Sequence, residues 1–183
     1  MSMFLRRHRE RSEGQAMVEF ALILPIALLI LLGIIQFGFL FAGHIGVTNA
    51  VRETARYGST SAVNDATTAT ANAGQICTYL KNTAMTRVPG YSSSNVVTSG
   101  SQRTTVEYES YTDPHAAPNT WSVRLTVHVE YKHPLLVPIV GAIIDGMDGA
   151  NDSHFQLGAT EAMRVENPIL TTDPSLNTTV NCP

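Results

Sequence analysis

Between Glu19 and Arg52 the chain carries no formally charged side chain, and its most apolar part is the 23-residue run Phe20 to Ala42. At about 1.5 Å per residue, a helix of that length reaches roughly 35 Å, enough to cross a hydrocarbon core of about 30 Å with some tilt. Apolar runs this long outgrow the buried helix of a water-soluble core, so the pattern predicts a single membrane-spanning helix. Phe37 to Tyr57 contains no proline, and the helix is expected to continue past the bilayer. Pro25, early in the span, lacks a donor and is a point where the helix would kink or open locally.

Further along, the apolar spacing changes twice. Ala62, Ala66, Ala69, Ala73, Ile76, Cys77, Leu80 and Ala84 fall at steps of three and four, which predicts an amphipathic helix, although its threonines weaken it. Pro89-Gly90 ends that helix, and the Ser-rich stretch 92–101 reads as a loop. Then the period becomes two. Val123, Leu125, Val127, Val129 and Tyr131 alternate with Arg124, Thr126, His128, Glu130 and Lys132, the pattern of a half-buried strand. Val106 and Tyr108 suggest a partner strand over 103–110, joined through a Pro-containing loop at 113–120. Phe155, Leu157, Ala159, Met163 and Val165 suggest a third strand, and residues 167–183 read as an irregular tail. Three strands against one helix are about the least that is independently stable.

The expected fold class is therefore α+β, with a long N-terminal transmembrane helix leading into a small domain in which a helix packs on an antiparallel sheet. Its parts are a basic leader at 1–14, the spanning and extended helix at 15–58, and an extracytoplasmic domain at 59–183. The apolar segment Leu135 to Ile144 holds Pro138 and Gly141 and is too short to span. Core or loop packing is its expected use, with a bilayer-edge contact and a subunit interface as alternatives. Two cysteines permit one bridge, Cys77–Cys182. Closing a loop of about 100 residues would contribute on the order of 4–5 kcal/mol in the entropic account, in an oxidising compartment.

Charge narrows the function. The 183 residues carry 12 Lys and Arg against 15 Asp and Glu, a net −3, which excludes the clustered basic surface that a nucleic-acid partner requires. The one basic cluster, Arg6, Arg7, Arg9 and Arg11, lies just before the apolar run, while only Arg52 and Arg56 follow it closely. That bias places the N-terminus in the cytoplasm and the domain outside the cytoplasmic membrane. A cleaved secretory signal is the alternative. Its apolar region would be shorter, and the small-residue site it needs has a weak candidate at Thr48-Asn49-Ala50.

One acid stands at the edge of the span. In Glu13-Gly14-Gln15-Ala16-Met17-Val18-Glu19-Phe20-Ala21-Leu22, the basic leader ends at Gly14 and Glu19 is the fifth residue beyond it. A carboxylate there is costly, by up to about 2.5–3.5 kcal/mol toward mid-bilayer, and calls for a positive partner. A cut after Gly14 would create one, the amine of Gln15, one helical turn from Glu19. A helix N-terminal acid favouring the macrodipole is the simpler reading, but it accounts for neither Gly14 nor the arginine leader.

The segment Gly14 to Pro25 resembles the prepilin start of TadE-like proteins of Tad-type pilus systems. Asn49-Ala50-Val51-Arg52-Glu53-Thr54-Ala55-Arg56-Tyr57 is similar to the family's Ala-Arg-Glu-Gly-Ala-Arg-Tyr segment, with Thr54 in place of the usual glycine. Ala162-Met163-Arg164-Val165-Glu166 resembles the family's closing strand. The resemblance implies a prepilin peptidase cutting after the glycine, and a glutamate at the fifth mature position. It departs from many type IV pilins in having Gln15, not an aromatic residue, after the cut.

Gly38, Ala42, Gly46 and Ala50 recur every four residues, a small-residue stripe of the kind that lets membrane helices approach closely. Arg52, Glu53 and Arg56 are expected at the membrane exit, with Glu53 within reach of Arg56 at i, i+3. No nucleophile–base pair, phosphate loop or cofactor motif appears. His128 and His133, five apart, point to opposite faces of a strand, so no metal pair is expected there. The stretch Asp145 to Asp152 lacks the ligand order of a calcium loop. The expected protein is thus a minor pilin-like subunit (a pseudopilin), not an enzyme and without cofactors. Its partners would be other pilin-like subunits, the membrane platform of the pilus machinery, the peptidase and the bilayer. The alternative is a membrane-anchored extracytoplasmic binding module outside any filament. A membrane-tethered enzyme is a further rival, supported only by the loop 145–152.

Overall fold

In a computed structural model of the protein, the described residues are 3–112, 121–148, 152–166, 168 and 176–183. Helix α1 spans Met3–Ser59 and passes through Pro25 without a break. Helix α2, Ala66–Tyr79, follows after a short connection. Its start is set by Asp65, whose carboxylate accepts from the Thr68 N–H at 2.8 Å, while the Thr68 hydroxyl accepts from the Asp65 N–H at 3.0 Å. These reciprocal bonds satisfy orphan donors of the first turn, and the bond from the Thr68 N–H holds the Asp65 carboxyl below its ordinary pKa. The cap explains why the helix begins after Asp65 and not at Ala62, where apolar spacing alone begins. Beyond Tyr79 the same rod widens through a π turn, Leu80–Ala84, and then tightens into a 3-10 turn, Met85–Arg87, before Pro89-Gly90 reverses the chain with Gly90 at φ +70.

Four strands form one antiparallel sheet in the order β3-β2-β1-β4: β1 Thr105–Thr112, β2 Trp121–Pro134, β3 His154–Arg164 and β4 Asn177–Asn181. Val106 lies between Val127 and Val180 on neighbouring strands, and Leu125 opposes Tyr108 and Met163. The predicted strands thus pair on one shared inward face, where Val123, Leu125, Val127, Val129 and Tyr131 are wholly buried. The upper part of α1 packs on β2 and β3, and α2 packs on β1 and β4. The fold is α+β, as the change of period indicates.

One expectation needs correction. The tail is not irregular throughout. Among its described residues, Asn177–Asn181 extends the sheet as β4 on the free edge of β1, because Thr178 and Val180 turn inward beside Cys182. The apolar segment Leu135 to Ile144 packs in part as core, with Val140 and Ile144 buried against Leu40, and does so as helix α3, Pro138–Asp148. Pro138 takes the first helical position, where its missing N–H costs nothing. The loop expected at 113–120 lies outside the described residues.

Candidate functional site

The candidate site is α1 itself, and its two halves have different surroundings. From Gly14 to Leu31 every residue is exposed, with Phe20, Leu22, Ile26 and Ile30 each more than half bare. This helix is long and apolar enough to cross a membrane, and none of its most apolar window is covered by the rest of the protein. At the head of this bare rod, the Gln15 side-chain amide donates to Glu19 Oε1 at 3.1 Å. The acid is thus already engaged by a neutral donor one turn earlier.

From Gln36 onward the helix is docked. Gln36, Leu40, Gly43, Val47, Ala50, Thr54 and Gly58 form a buried stripe at steps of three and four, widened by Val51 and Ala55. Glycine lets the helix sit down on its own domain at two places. A Cβ on Gly43 would collide with the imidazole of His133, and one on Gly58 would lie 2.5 Å from both Ile76 Cδ1 and Leu125 Cδ2. His133, at the end of β2, is fully buried and lies edge-on to Phe39 at 4.6 Å between centroids. Burial pushes its imidazole below the ordinary histidine pKa. Gln36 Oε1 accepts from the N–H groups of Leu136 (3.0 Å) and Val137 (2.8 Å), which ties the entry to α3 onto the rod.

The small-residue stripe expected from the sequence is divided by this docking. Gly38 and Ala42 are exposed, with nothing within 4 Å of a Cβ on Gly38. A Cβ on Gly46 would lie 3.3 Å from the Cα of Val88, and Ala50 is buried in the core. Only the lower pair is free for another helix. Gly43 and Gly58 carry the close approaches, and periodicity did not point to them.

The charged segment near the end of α1 also turns to the domain. Arg52 Nε lies 3.5 Å from Glu161 on β3, and Glu53 accepts from the Tyr79 hydroxyl at 2.8 Å and pairs with Arg87. Glu53 therefore does not take Arg56 as its partner, because α2 and its continuation bring Tyr79 and Arg87 against it. The bond to Glu53 raises the Tyr79 phenol above its ordinary pKa. Tyr57 stacks on Tyr79 at 4.2 Å. Thr54, where glycine was the expected residue, is buried and returns its hydroxyl to the Ala50 carbonyl at 2.7 Å. Gln36 precedes Arg52 by a rise of about 24 Å, so these charges lie well beyond the level at which the rod first meets the domain.

Residues 14–56 match the family model described as TadE-like protein. Over that stretch the stalk is similar to TadE-like proteins. The match takes in Gly14, Glu19 and the Arg52–Glu53 segment, and it ends before the α+β domain, so the third resemblance at 162–166 falls outside it. No curated protein and no solved structure matches the chain.

The remaining candidates resolve into structure. Cys77 and Cys182 are bridged, pinning the end of β4 to α2. Asp145 accepts from the N–H groups of Asp152 and Ser153, both at 3.1 Å, and Asp152 pairs with Lys132 at 2.5 Å. Both carboxylates thereby close the connection into β3, and residues 149–151 lie outside the described set. His128 and His133 sit on opposite faces of β2, and among the described residues no group of three His, Cys, Asp or Glu side chains is placed to hold a metal.

Proposed function

We infer that the chain is a minor pilin-like subunit, a pseudopilin, of a Tad-type pilus, trimmed by a prepilin peptidase after Gly14 and acting through helix packing in pilus assembly or adhesion. The observation that carries this reading is the TadE-like match over 14–56 with Glu19 at the head of a bare apolar rod. Cleavage after Gly14 removes the arginine leader and leaves the α-amine of Gln15 about 6 Å below Glu19 along the axis. A cation then replaces the neutral amide as the partner of Glu19, in the same chain or in a neighbouring subunit. The free pair Gly38 and Ala42 offers the next helix a close approach, and the open sheet face is displayed outward. The arginine bias orients the leader inward and the domain outside the cytoplasmic membrane.

The docked half of α1 also bears on the secretory-signal alternative. A cut after Ala50 would strip Val47 and Ala50 from the domain's core, where each is at most 2% exposed. Replacing Glu19 with Gln tests the proposal through association. Pull-down of the tagged subunit with the other pilus components is expected to fall sharply, together with surface appendages. Unchanged recovery and unchanged appendages would contradict the packing role.

A further inference from the structure

From Pro138 to Ile144, helix α3 is apolar on both faces. Val140 and Ile144 turn inward onto Leu40 of α1, while Leu136, Ile139 and Ile143 are 56%, 64% and 58% exposed. Among the described side chains, the carboxylate of Asp145 is turned away into the backbone of the following loop, and the bare face carries no charge from Leu135 to Ile144. A helix with apolar residues on both faces is stable only where something apolar covers the second face.

Its height on the rod says what covers it. The entry to α3 is tied to Gln36 by two hydrogen bonds, and Ile144 meets the rod between Phe37 and His44, beside an apolar groove of about 420 Å³. Measured from Glu19 at about 1.5 Å per residue, Gln36 lies roughly 26 Å and His44 roughly 38 Å along α1. A hydrocarbon core of about 30 Å that begins at Glu19 therefore ends within the layer α3 occupies. The exposed Phe37 and Phe41 of α1 stand at the same level, and continue the bilayer-facing surface of the rod directly onto α3.

We propose that α3 is a second membrane contact, an interfacial helix whose Ile139–Ile143 face, with Leu136 just before it, lies in the outer boundary of the bilayer beside α1 and fixes the domain against the lipid surface. This rests on α1 spanning the membrane, and the two claims fail separately. The full chain, carrying one added free cysteine at Leu28→Cys, Ile139→Cys, Ile143→Cys or Ala71→Cys with the native bridge kept intact, is labelled on that cysteine with a polarity-sensitive fluorophore. It is reconstituted in phosphatidylcholine–phosphatidylglycerol vesicles containing lipids brominated either near the headgroup or near the chain end. The Leu28 label is expected to be quenched best by chain-end bromine, the labels at 139 and 143 best by headgroup-proximal bromine, and the label at 71, high on α2, by neither. Quenching at 28 with none at 139 and 143 would overturn the α3 contact and leave the anchor standing. No quenching at 28 would overturn both. Shielding at 139 and 143 that grows with protein density but not with brominated lipid would give this face to a second copy of the chain, and would also overturn the proposal. In the unsubstituted chain, a photoreactive lipid is expected to leave adducts on the peptide 135–144, and adducts confined to α1 would count against it.

Discussion

Gly43 of α1 lies so close to the ring of His133 that no side chain fits between them. This contact joins the rod to the end of β2, and its removal should loosen the domain from the stalk. Gly43→Ala is expected to destabilise the folded domain by about 1–3 kcal/mol, the range for overpacking a filled site. Gly38→Ala, where the space is open, should be neutral or slightly stabilising, because alanine favours helix by up to about 1 kcal/mol over glycine. Denaturant unfolding of the detergent-solubilised protein, with protease resistance of the 36–58 segment alongside, distinguishes the two.

His133 should also make the docking sensitive to acid. Burial holds its pKa below the ordinary value, so the fold favours the neutral ring. The stability it contributes is present above about pH 6.5, the unfolded value, and is lost as the pH falls through the lower folded value. Unfolding midpoints measured between neutral and mildly acidic pH should fall more steeply for the native chain than for His133→Gln. Parallel curves for the two proteins would show that the ring does not drive the dependence.

The Tyr108 hydroxyl is buried without a hydrogen-bond partner, and burial pushes its pKa up to about 12. Because the folded value exceeds the unfolded one, the protonated ring's contribution is complete below about pH 10 and disappears as the pH rises toward the folded value. At neutral pH, Tyr108→Phe removes an unsatisfied polar atom and keeps the packing. It should be neutral or stabilising by about 1 kcal/mol, read as an unchanged or raised melting temperature.

Bridge removal should be felt at the far edge of the sheet. Cys77 and Cys182 are 105 residues apart in sequence, a separation for which the entropic account gives about 4–5 kcal/mol. Cys77→Ala with Cys182→Ala is expected to lower stability by up to that amount. Hydrogen exchange should quicken first in Asn177–Asn181, the strand that the bridge holds, and equal protection there would show that β4 stands on its pairing with β1 alone.

Much of this architecture is legible in the residues themselves. The alternation around Val123–Tyr131 named β2, and the weaker alternations around Val106 and Leu157 named its neighbours. β4 was hidden because Asn177-Thr178-Thr179-Val180-Asn181 is short and mostly polar, and it gains its place from the open edge of β1 and the tether at Cys182. Asp65 and Thr68 carried a readable cap that apolar spacing overlooks. Within α1 the difficulty was reversed. Nearly every position from Phe20 to Val51 is apolar or small, so no hydrophobic period marks the docked face, and Gly43 looked like one of several scattered glycines. Its signal was the polar pair Gln36 and Thr54, eighteen residues apart and in phase with Gly43, Val47 and Ala50 on one side of a helix. Glu53 paired across the fold because α2 returns along α1, which local spacing does not record. The bare apolar rod is a local feature, and it was read directly.

The account stands on Glu19 acquiring a cation when the leader is removed. Intact-mass analysis of the protein extracted from membranes of cells that hold the prepilin peptidase tests this most directly. The predicted result is a chain beginning at Gln15, with the leader through Gly14 gone. A chain that keeps its leader in those membranes while the peptidase cuts its other substrates would contradict it.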